Sequence, residues 1–295
     1  MPDFSRNQRG MIAVVLAMAL MVGNDTAMKI AAATLPFSQL VFMRAAFASL
    51  FVLAILAVRG EISTLRSVLR PLVAFRGLLE LAGSFAFIMA ITRMPIGDAT
   101  AIIQIVPLLL LAAAVTLGER IGPARLAACG LGFAGALMIA APSGQLSPAA
   151  ILALATAGTV TAREMLGRRM GAGVPSLALA CATCLIVAPG AAAGFFIQDW
   201  VVPAPLQLGQ TLLAGILLAA GYIALTFAIR QGEVQAVAPF YFSQTVFALL
   251  ASLFVFGDVP SPMALAGMAL VMAAGVAVFA IRDLRDPQRP STQPS

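Results

Sequence analysis

The chain has 295 residues, of which 61% are hydrophobic and only 10% are charged, and its mean hydropathy is +1.00. Soluble domains carry about 25% charged residues, so this composition excludes an ordinary soluble protein. The net charge is +6, but the basic residues lie in short clusters between long apolar runs. Such clusters orient membrane helices, and we therefore predict a polytopic protein that contacts the lipid bilayer and no nucleic acid.

Charges, prolines and glycines divide the chain into ten predicted transmembrane helices of an all-α fold. Residues 1–10 are predicted to be an N-terminal tail and residues 283–295 a disordered tail. The first apolar run lacks a small-residue cleavage site followed by a polar region, so we interpret it as a retained helix and not as a signal peptide. The ten predicted spans are 10–29, 36–58, 71–92, 97–117, 123–141, 147–167, 175–197, 206–229, 234–256 and 261–282.

The basic residues also predict the orientation of the spans. With a cytoplasmic N-terminus, all but three of the 18 basic residues fall on the cytoplasmic side, the exceptions being Lys29, Arg44 and Arg93. This bias predicts a multi-pass protein of the cell inner (plasma) membrane with both termini cytoplasmic. The same rule accounts for the charges that end the sixth span, interpreted as orientation determinants and not as a ligand site: Arg163, Glu164, Arg168 and Arg169.

The chain contains an internal repeat. Residues 92–123 resemble residues 229–262, and Gly118-Glu119 aligns with Gly257-Asp258 at an offset of 139. The predicted copies are 11–141 and 147–282, each with five helices. An odd number of spans puts the two copies in opposite orientations, an arrangement typical of secondary transporters, although duplication could also serve only to build a stable bundle.

Several positions make a loose but extended family pattern: Lys29, Pro36, Arg44, Pro107 and Gly118-Glu119 in the first copy, then Arg230, Pro239 and Gly257-Asp258 in the second. With ten spans and a duplication, the chain resembles the drug/metabolite transporter superfamily, in its ten-helix group of two EamA-type domains. The second copy departs from the family pattern, with Asp258 where Glu is commoner and no proline matching Pro107. The resemblance implies a transporter of small metabolites, with exporters of amino acids that have aromatic or other apolar side chains as the best match.

Glu80 is the acid nearest the middle of an apolar span. Gly77, Glu80 and Ser84 share one face of the third span, which suits the lining of a cavity that binds a substrate amine or a proton. Ionisable groups inside a bilayer cost roughly 2.5–3.5 kcal/mol on insertion scales, so each needs a partner or a function. Arg44 lies at a similar depth in the second span, and a structural Glu80–Arg44 ion pair is the alternative.

Asp25 and Lys29 lie four residues apart near the outer end of the first span. This spacing predicts a local ion pair, with a contribution to a gate as the alternative.

Polar residues on the fourth, eighth and ninth spans complete the candidate substrate site: Thr100, Gln104, Tyr222, Thr226, Tyr241, Gln244 and Thr245. Glutamine can bind either charged end of a zwitterion, although such residues also join membrane helices by hydrogen bonds. Pro107 and Pro239 are hinge candidates, because proline bends helices.

These features favour a secondary transporter over other classes. The sequence contains no histidine and only three cysteines, all in apolar runs, so it predicts no enzyme, no metal site and no cofactor. No P-loop is present, and the inverted halves do not suggest a channel filter. The sequence leaves open the identity and direction of the small-molecule substrate, proton coupling against facilitated diffusion, and a monomer against a homodimer.

Overall fold

The computed structural model describes residues 6–116, 122–141, 144–170, 175–231 and 237–280. Within these ranges the chain is helical and contains no strand. Three 3-10 segments lie at Ile62–Val68, Ala193–Phe196 and Ala238–Phe242, and a π-helical turn lies at Ser252–Phe256. The α-helices are α1 (Arg6–Ala31), α2 (Phe37–Val58), α3 (Pro71–Ile91), α4 (Ile96–Ile103), α5 (Val106–Thr116), α6 (Pro123–Ala140), α7 (Pro148–Met170), α8 (Ser176–Ala192), α9 (Pro205–Gln231), α10 (Ser243–Ala251) and α11 (Pro262–Ala280).

These elements make ten apolar spans. Eight segments of the described chain are long and apolar enough to cross a membrane, and the shorter apolar helices Leu126–Ala140 and Pro262–Ala277 complete the set. The segments α4 and α5 together form the fourth span, and Pro239–Phe256 forms the ninth. The predicted fold class, an all-α membrane protein of ten helices in two inverted five-helix repeats, is confirmed.

Helix boundaries follow local backbone chemistry. Proline is favoured at a helix start because its missing N–H has no partner there in any case. Accordingly α3, α6, α7, α9 and α11 each begin at a proline. The helix α1 begins at Arg6, earlier than the predicted first span, so the part of the predicted tail that is described is helical. The predicted tail at 283–295 and the Gly118-Glu119 pair lie outside the described residues.

The two repeats are interleaved. The main packing partners include α1 with α9, α2 with α8, α3 with α7, α4 with α10 and α6 with α11. Each pair joins one helix of the first repeat to one of the second. Exchanging the repeats converts the α1–α9 pair into the α7–α3 pair and leaves each of the other three pairs unchanged. Both repeats are therefore needed to bury the apolar faces of either.

The ends of the bundle are named here by residues of α1: the Arg6 side and the Lys29 side. The helix α3 runs from the Arg6 side to the Lys29 side, because the Lys29 ammonium contacts the backbone oxygen of Met94, just beyond the end of α3 (3.2 Å).

On the Lys29 side, the segment after α8 is bound to the start of α2. The indole Nε1–H of Trp200 donates to Ser38 Oγ (2.8 Å), and the Trp200 ring packs on Phe42 with 5.2 Å between ring centroids. The Gln39 amide exchanges two hydrogen bonds with the backbone of Val201. These contacts join the segment after α8 to the first turns of α2.

Candidate substrate site

A small cavity lies inside the bundle between α2, α3, α8 and α9. It has room of about 10 Å³ for the centre of a water-sized molecule, so a metabolite fits only when the helices around it move apart. Its lining combines charged, polar and apolar side chains of both repeats: Arg44, Ala45, Glu80, Ser84, Thr183, Cys184, Val187, Leu218 and Tyr222. Of the residues predicted for the substrate site, Glu80, Ser84 and Tyr222 line this cavity.

Glu80 forms its ion pair with Arg163 of α7, and not with Arg44 as the alternative interpretation of the sequence had it. Arg163 also contacts the Glu164 carboxylate through Nη2 (2.9 Å). The sequence did not predict this pair, and the role of Arg163 in membrane orientation stays a prediction. The position of α7 against α3 is the physical reason, because it brings a cation of the second repeat beside the acid of the first.

Arg44 lies on α2, across the cavity from this pair, and only 7% of it is exposed. Its Nη2 donates to Ser84 Oγ (2.9 Å), while its buried Nε–H has no acceptor among the described residues. Arg44 therefore lines the cavity with part of its hydrogen-bonding capacity unused.

Arg76 extends the charged group toward the Arg6 side. Its Nη1 donates to Thr183 Oγ1 (2.7 Å), and its Nη2 lies 3.9 Å from Glu164. Three arginines and two glutamates thus meet between α2, α3, α7 and α8. Ionisable groups inside a membrane are costly, so this cluster is a candidate functional site.

A second set of predicted residues lies on α4, on α9 and on the ninth span. The amide of Gln104 donates to the backbone oxygen of Tyr241 (3.0 Å), which matches the alternative role of joining helices. Thr100 and Thr245 are each 2% exposed, and neither hydroxyl has a hydrogen-bond partner among the described residues. Gln244 is half-buried on α10, and Thr226 is half-buried one turn beyond Tyr222 on α9. None of this second set lines the cavity, so the predicted site residues fall into two groups.

The predicted Asp25–Lys29 pair is not formed. The ammonium of Lys29 lies 3.3 Å from the Asp258 carboxylate and 4.4 Å from the centroid of the Phe256 ring. The Asp25 carboxylate instead accepts a hydrogen bond from the Asn24 amide (2.8 Å). The reason is that Asp258 follows the ninth span at the Lys29 side, where Lys29 meets a more accessible acid than Asp25, which is 8% exposed.

The turn at Asp258 depends on a glycine. Gly257 adopts a left-handed conformation with φ of +70°, and the Asp258 N–H then bonds the backbone oxygen of Ser252 (2.9 Å). Glycine tolerates this conformation without strain, and the turn places Asp258 beside Lys29.

The two hinge candidates lie in different settings. The fourth span breaks between Ile103 and Val106, directly before Pro107, which cannot donate a hydrogen bond to the carbonyl of Ile103. Pro239 lies in the first turn of the 3-10 segment Ala238–Phe242, at the start of the described part of the ninth span. Their action as hinges stays a prediction.

The model of the EamA-like transporter family matches residues 8–141 and again residues 147–280. These two matches cover nearly the whole chain. The chain belongs to the EamA-like transporter family. It is accordingly a membrane-embedded transporter of small molecules and not an enzyme.

Curated relatives and solved structures agree with this assignment. The chain is 29% identical over 223 residues to a riboflavin transporter of Rhizobium johnstonii, covering 73% of this chain and 72% of that protein. It is 28% identical over 278 residues to the pseudopaline exporter CntI of Pseudomonas aeruginosa, covering 91% of this chain and 95% of that protein. One solved crystal structure matches with a TM-score of 0.66 at 22% identity, over 92% of this chain and 96% of its own. That likeness supports the fold.

Sequence reasoning missed Arg163, Arg76, Thr183 and Cys184 as neighbours of the candidate site. Thr183 and Cys184 are uncharged residues of an apolar span, so their local sequence does not distinguish them from packing residues. Both residues line the same cavity as Arg44 and Ala45.

Proposed function

We propose that this EamA-like transporter exports small metabolites by alternating access, and that amino acids with aromatic or other apolar side chains are its main substrates. The observation that supports this most is the cavity, because both repeats contribute to it and because it combines Arg44 and Glu80 with apolar Val187 and Leu218. A zwitterion with an apolar side chain needs this combination of both charges and an apolar wall. Inverted-repeat transporters place their substrate near the midplane between the repeats.

The same proposal includes the orientation predicted from the basic residues, with both termini in the cytoplasm and the Lys29 side facing out. Export then begins when the Arg6 side opens, which separates α3 from α7. The names of the two relatives, a riboflavin transporter and a pseudopaline exporter, describe metabolite transport and make riboflavin a useful competing substrate.

Reconstituted liposomes test the proposal. Purified protein is inserted, and counterflow of labelled phenylalanine, leucine, methionine, lysine and riboflavin is measured with and without an imposed pH gradient. We expect the apolar amino acids to be transported best. Transport of riboflavin without transport of any amino acid would contradict the substrate assignment. A flux that is the same with and without the pH gradient would indicate facilitated diffusion.

Two variants distinguish the two groups of predicted residues. Glu80→Gln changes the cavity, whereas Gln244→Ala changes the α4–α10 side. We expect Glu80→Gln to reduce transport more than Gln244→Ala, since Glu80 lines the cavity. Normal transport by both variants across the panel would show that neither group binds substrate.

A further inference from the structure

The guanidinium of Arg44 is buried without a direct carboxylate contact. Among the described residues no carboxylate oxygen lies within 4 Å of it, and its Nη2 contacts only the neutral hydroxyl of Ser84. Its Nε–H is buried and has no acceptor. A charged donor in this condition is costly inside a membrane protein, so its retention points to a partner that is not part of the chain.

The nearby acids are already engaged. Glu80 is bound by Arg163, and Asp25 is bound by the Asn24 amide. Neither of these contacts uses a donor of Arg44. Arg44 therefore presents a buried N–H that no described acid accepts.

The surroundings of Arg44 select the chemistry of such a partner. A guanidinium presents its N–H groups as a planar fork that matches the two oxygens of a carboxylate. The neighbouring Thr183 and Tyr222 offer hydroxyl groups, while Ala45, Val187 and Leu218 make an apolar wall. We propose that Arg44 binds the carboxylate of the transported metabolite, with the apolar side chain of that metabolite against the wall.

This assignment rests on the proposed function and sharpens it. The sequence suggested a structural ion pair for Arg44. The proposal instead makes Arg44 the residue that distinguishes a carboxylate from its neutral analogues. The Ser84 hydroxyl then acts as the resting partner of Nη2, which a carboxylate replaces when the bundle opens.

A competition experiment on the unmodified protein tests the assignment first. Counterflow of labelled phenylalanine is measured in liposomes against unlabelled phenylalanine or phenylalaninamide, which keeps the ammonium and the ring but lacks the carboxylate. We expect the amide to compete at least about tenfold more weakly, since a charge-assisted hydrogen bond is lost. Equal competition by the acid and the amide would overturn the role of Arg44, whereas no counterflow of any amino acid would contradict the proposed function instead.

Three variants then assign the discrimination to one side chain. Arg44→Gln should raise the KM for phenylalanine at least about tenfold and make the acid and the amide compete equally. Arg44→Lys keeps the charge without the fork, and it should recover part of the preference for the acid. Arg93→Gln is the matched control, because Arg93 is exposed at the Lys29 side and bonds the Met89 oxygen of its own helix.

Size-exclusion profiles and thermal unfolding show that each variant is folded before transport is compared. Folded Arg44→Gln protein that still prefers the acid over the amide would refute the assignment. If Arg44→Gln does not fold, Arg44→Lys takes its place, and an unchanged KM and preference in that variant would refute it equally.

Discussion

The two interfaces related by the internal repeat differ in chemistry. Exchange of the repeats converts α3–α7 into α1–α9, yet α3–α7 contains the ion-paired residues Glu80, Arg163 and Glu164. The α1–α9 interface is packed largely by apolar and small residues, such as Ala17, Met18 and Gly221.

A fold built from two related repeats can therefore have helix interfaces of unequal chemistry near its two ends. The α3–α7 contact, nearer the Arg6 side, is held by ion pairs, which water or a charged substrate can replace during opening. The α1–α9 contact is held by apolar packing, and at the Lys29 side the Lys29–Asp258 pair adds a partly exposed closure. The predictions below test whether the two closures differ as much in energy as in chemistry.

The largest effect is expected from breaking the charged interface. Arg163→Gln should lower the stability of the folded protein by about 3 kcal/mol, because it leaves the Glu80 carboxylate buried without its cation. Thermal unfolding in detergent measures this loss. The double variant Glu80→Gln, Arg163→Gln removes both charges and should be more stable than the single variant, and the opposite order would contradict a buried pair.

Opening of the same interface should expose the cavity. Cys184 lines the cavity and is buried, so it can report this opening in a protein whose Cys129 and Cys181 are replaced by alanine. The Glu80→Gln, Arg163→Gln variant should react with an impermeant maleimide at Cys184 several-fold faster from the Arg6 side. A rate increase seen only from the Lys29 side would reverse the assignment of the closures.

A matched pair of glycines compares how tightly the two interfaces are packed. A Cβ added at Gly83 on α3 would lie 2.6 Å from Thr159 Oγ1, whereas one at Gly221 on α9 would lie 3.3 Å from Met21 Cε. Gly83→Ala should therefore destabilise the protein by about 1–2 kcal/mol through overpacking. Gly221→Ala should change stability by less than about 1 kcal/mol, because a flexible methionine can move and alanine favours a helix. Equal unfolding temperatures for the two variants would contradict a difference in packing between the two interfaces.

The smallest effect is expected at the Lys29 side. The Asp258 side chain is 35% exposed in its pair with Lys29, and exposed ion pairs contribute roughly 0.2–1 kcal/mol. Asp258→Asn should therefore shift the unfolding temperature little, and the shift should shrink further in high salt. A loss as large as that of Arg163→Gln would show that the ion pair at the Lys29 side is not the weaker one.

The sequence predicted the parts of the fold that depend on local pattern. Span number, the repeat and the inverted arrangement follow from apolar runs and the 139-residue offset, both of which are visible along the chain. The partners of Glu80 and Lys29 were not predicted, because each pair joins residues of different repeats whose meeting depends on helix packing. The Gln104 contact was hidden for another reason, since its acceptor is a backbone oxygen that every residue possesses.

The sequence therefore predicted which polar residues belong to the candidate site better than it predicted which residues contact each other there. Glu80, Ser84 and Tyr222 were identified as polar residues on apolar spans, and they do line one cavity. Arg163 was missed because a cation near the end of a span is also explained by membrane orientation. One sequence cannot separate these two roles, whereas the geometry of α7 can.

The contact between Trp200 and Ser38 provides an optical signal. Trp200 is the single tryptophan of the chain, and its indole is bound to the first turn of α2, the helix that also contains Arg44. Six residues of helix separate Ser38 from Arg44, which is roughly 9 Å along the axis. Any tilt of α2 that accompanies substrate binding should change the environment of this fluorophore. Intrinsic emission of the unlabelled wild-type protein can thus follow ligand binding in real time.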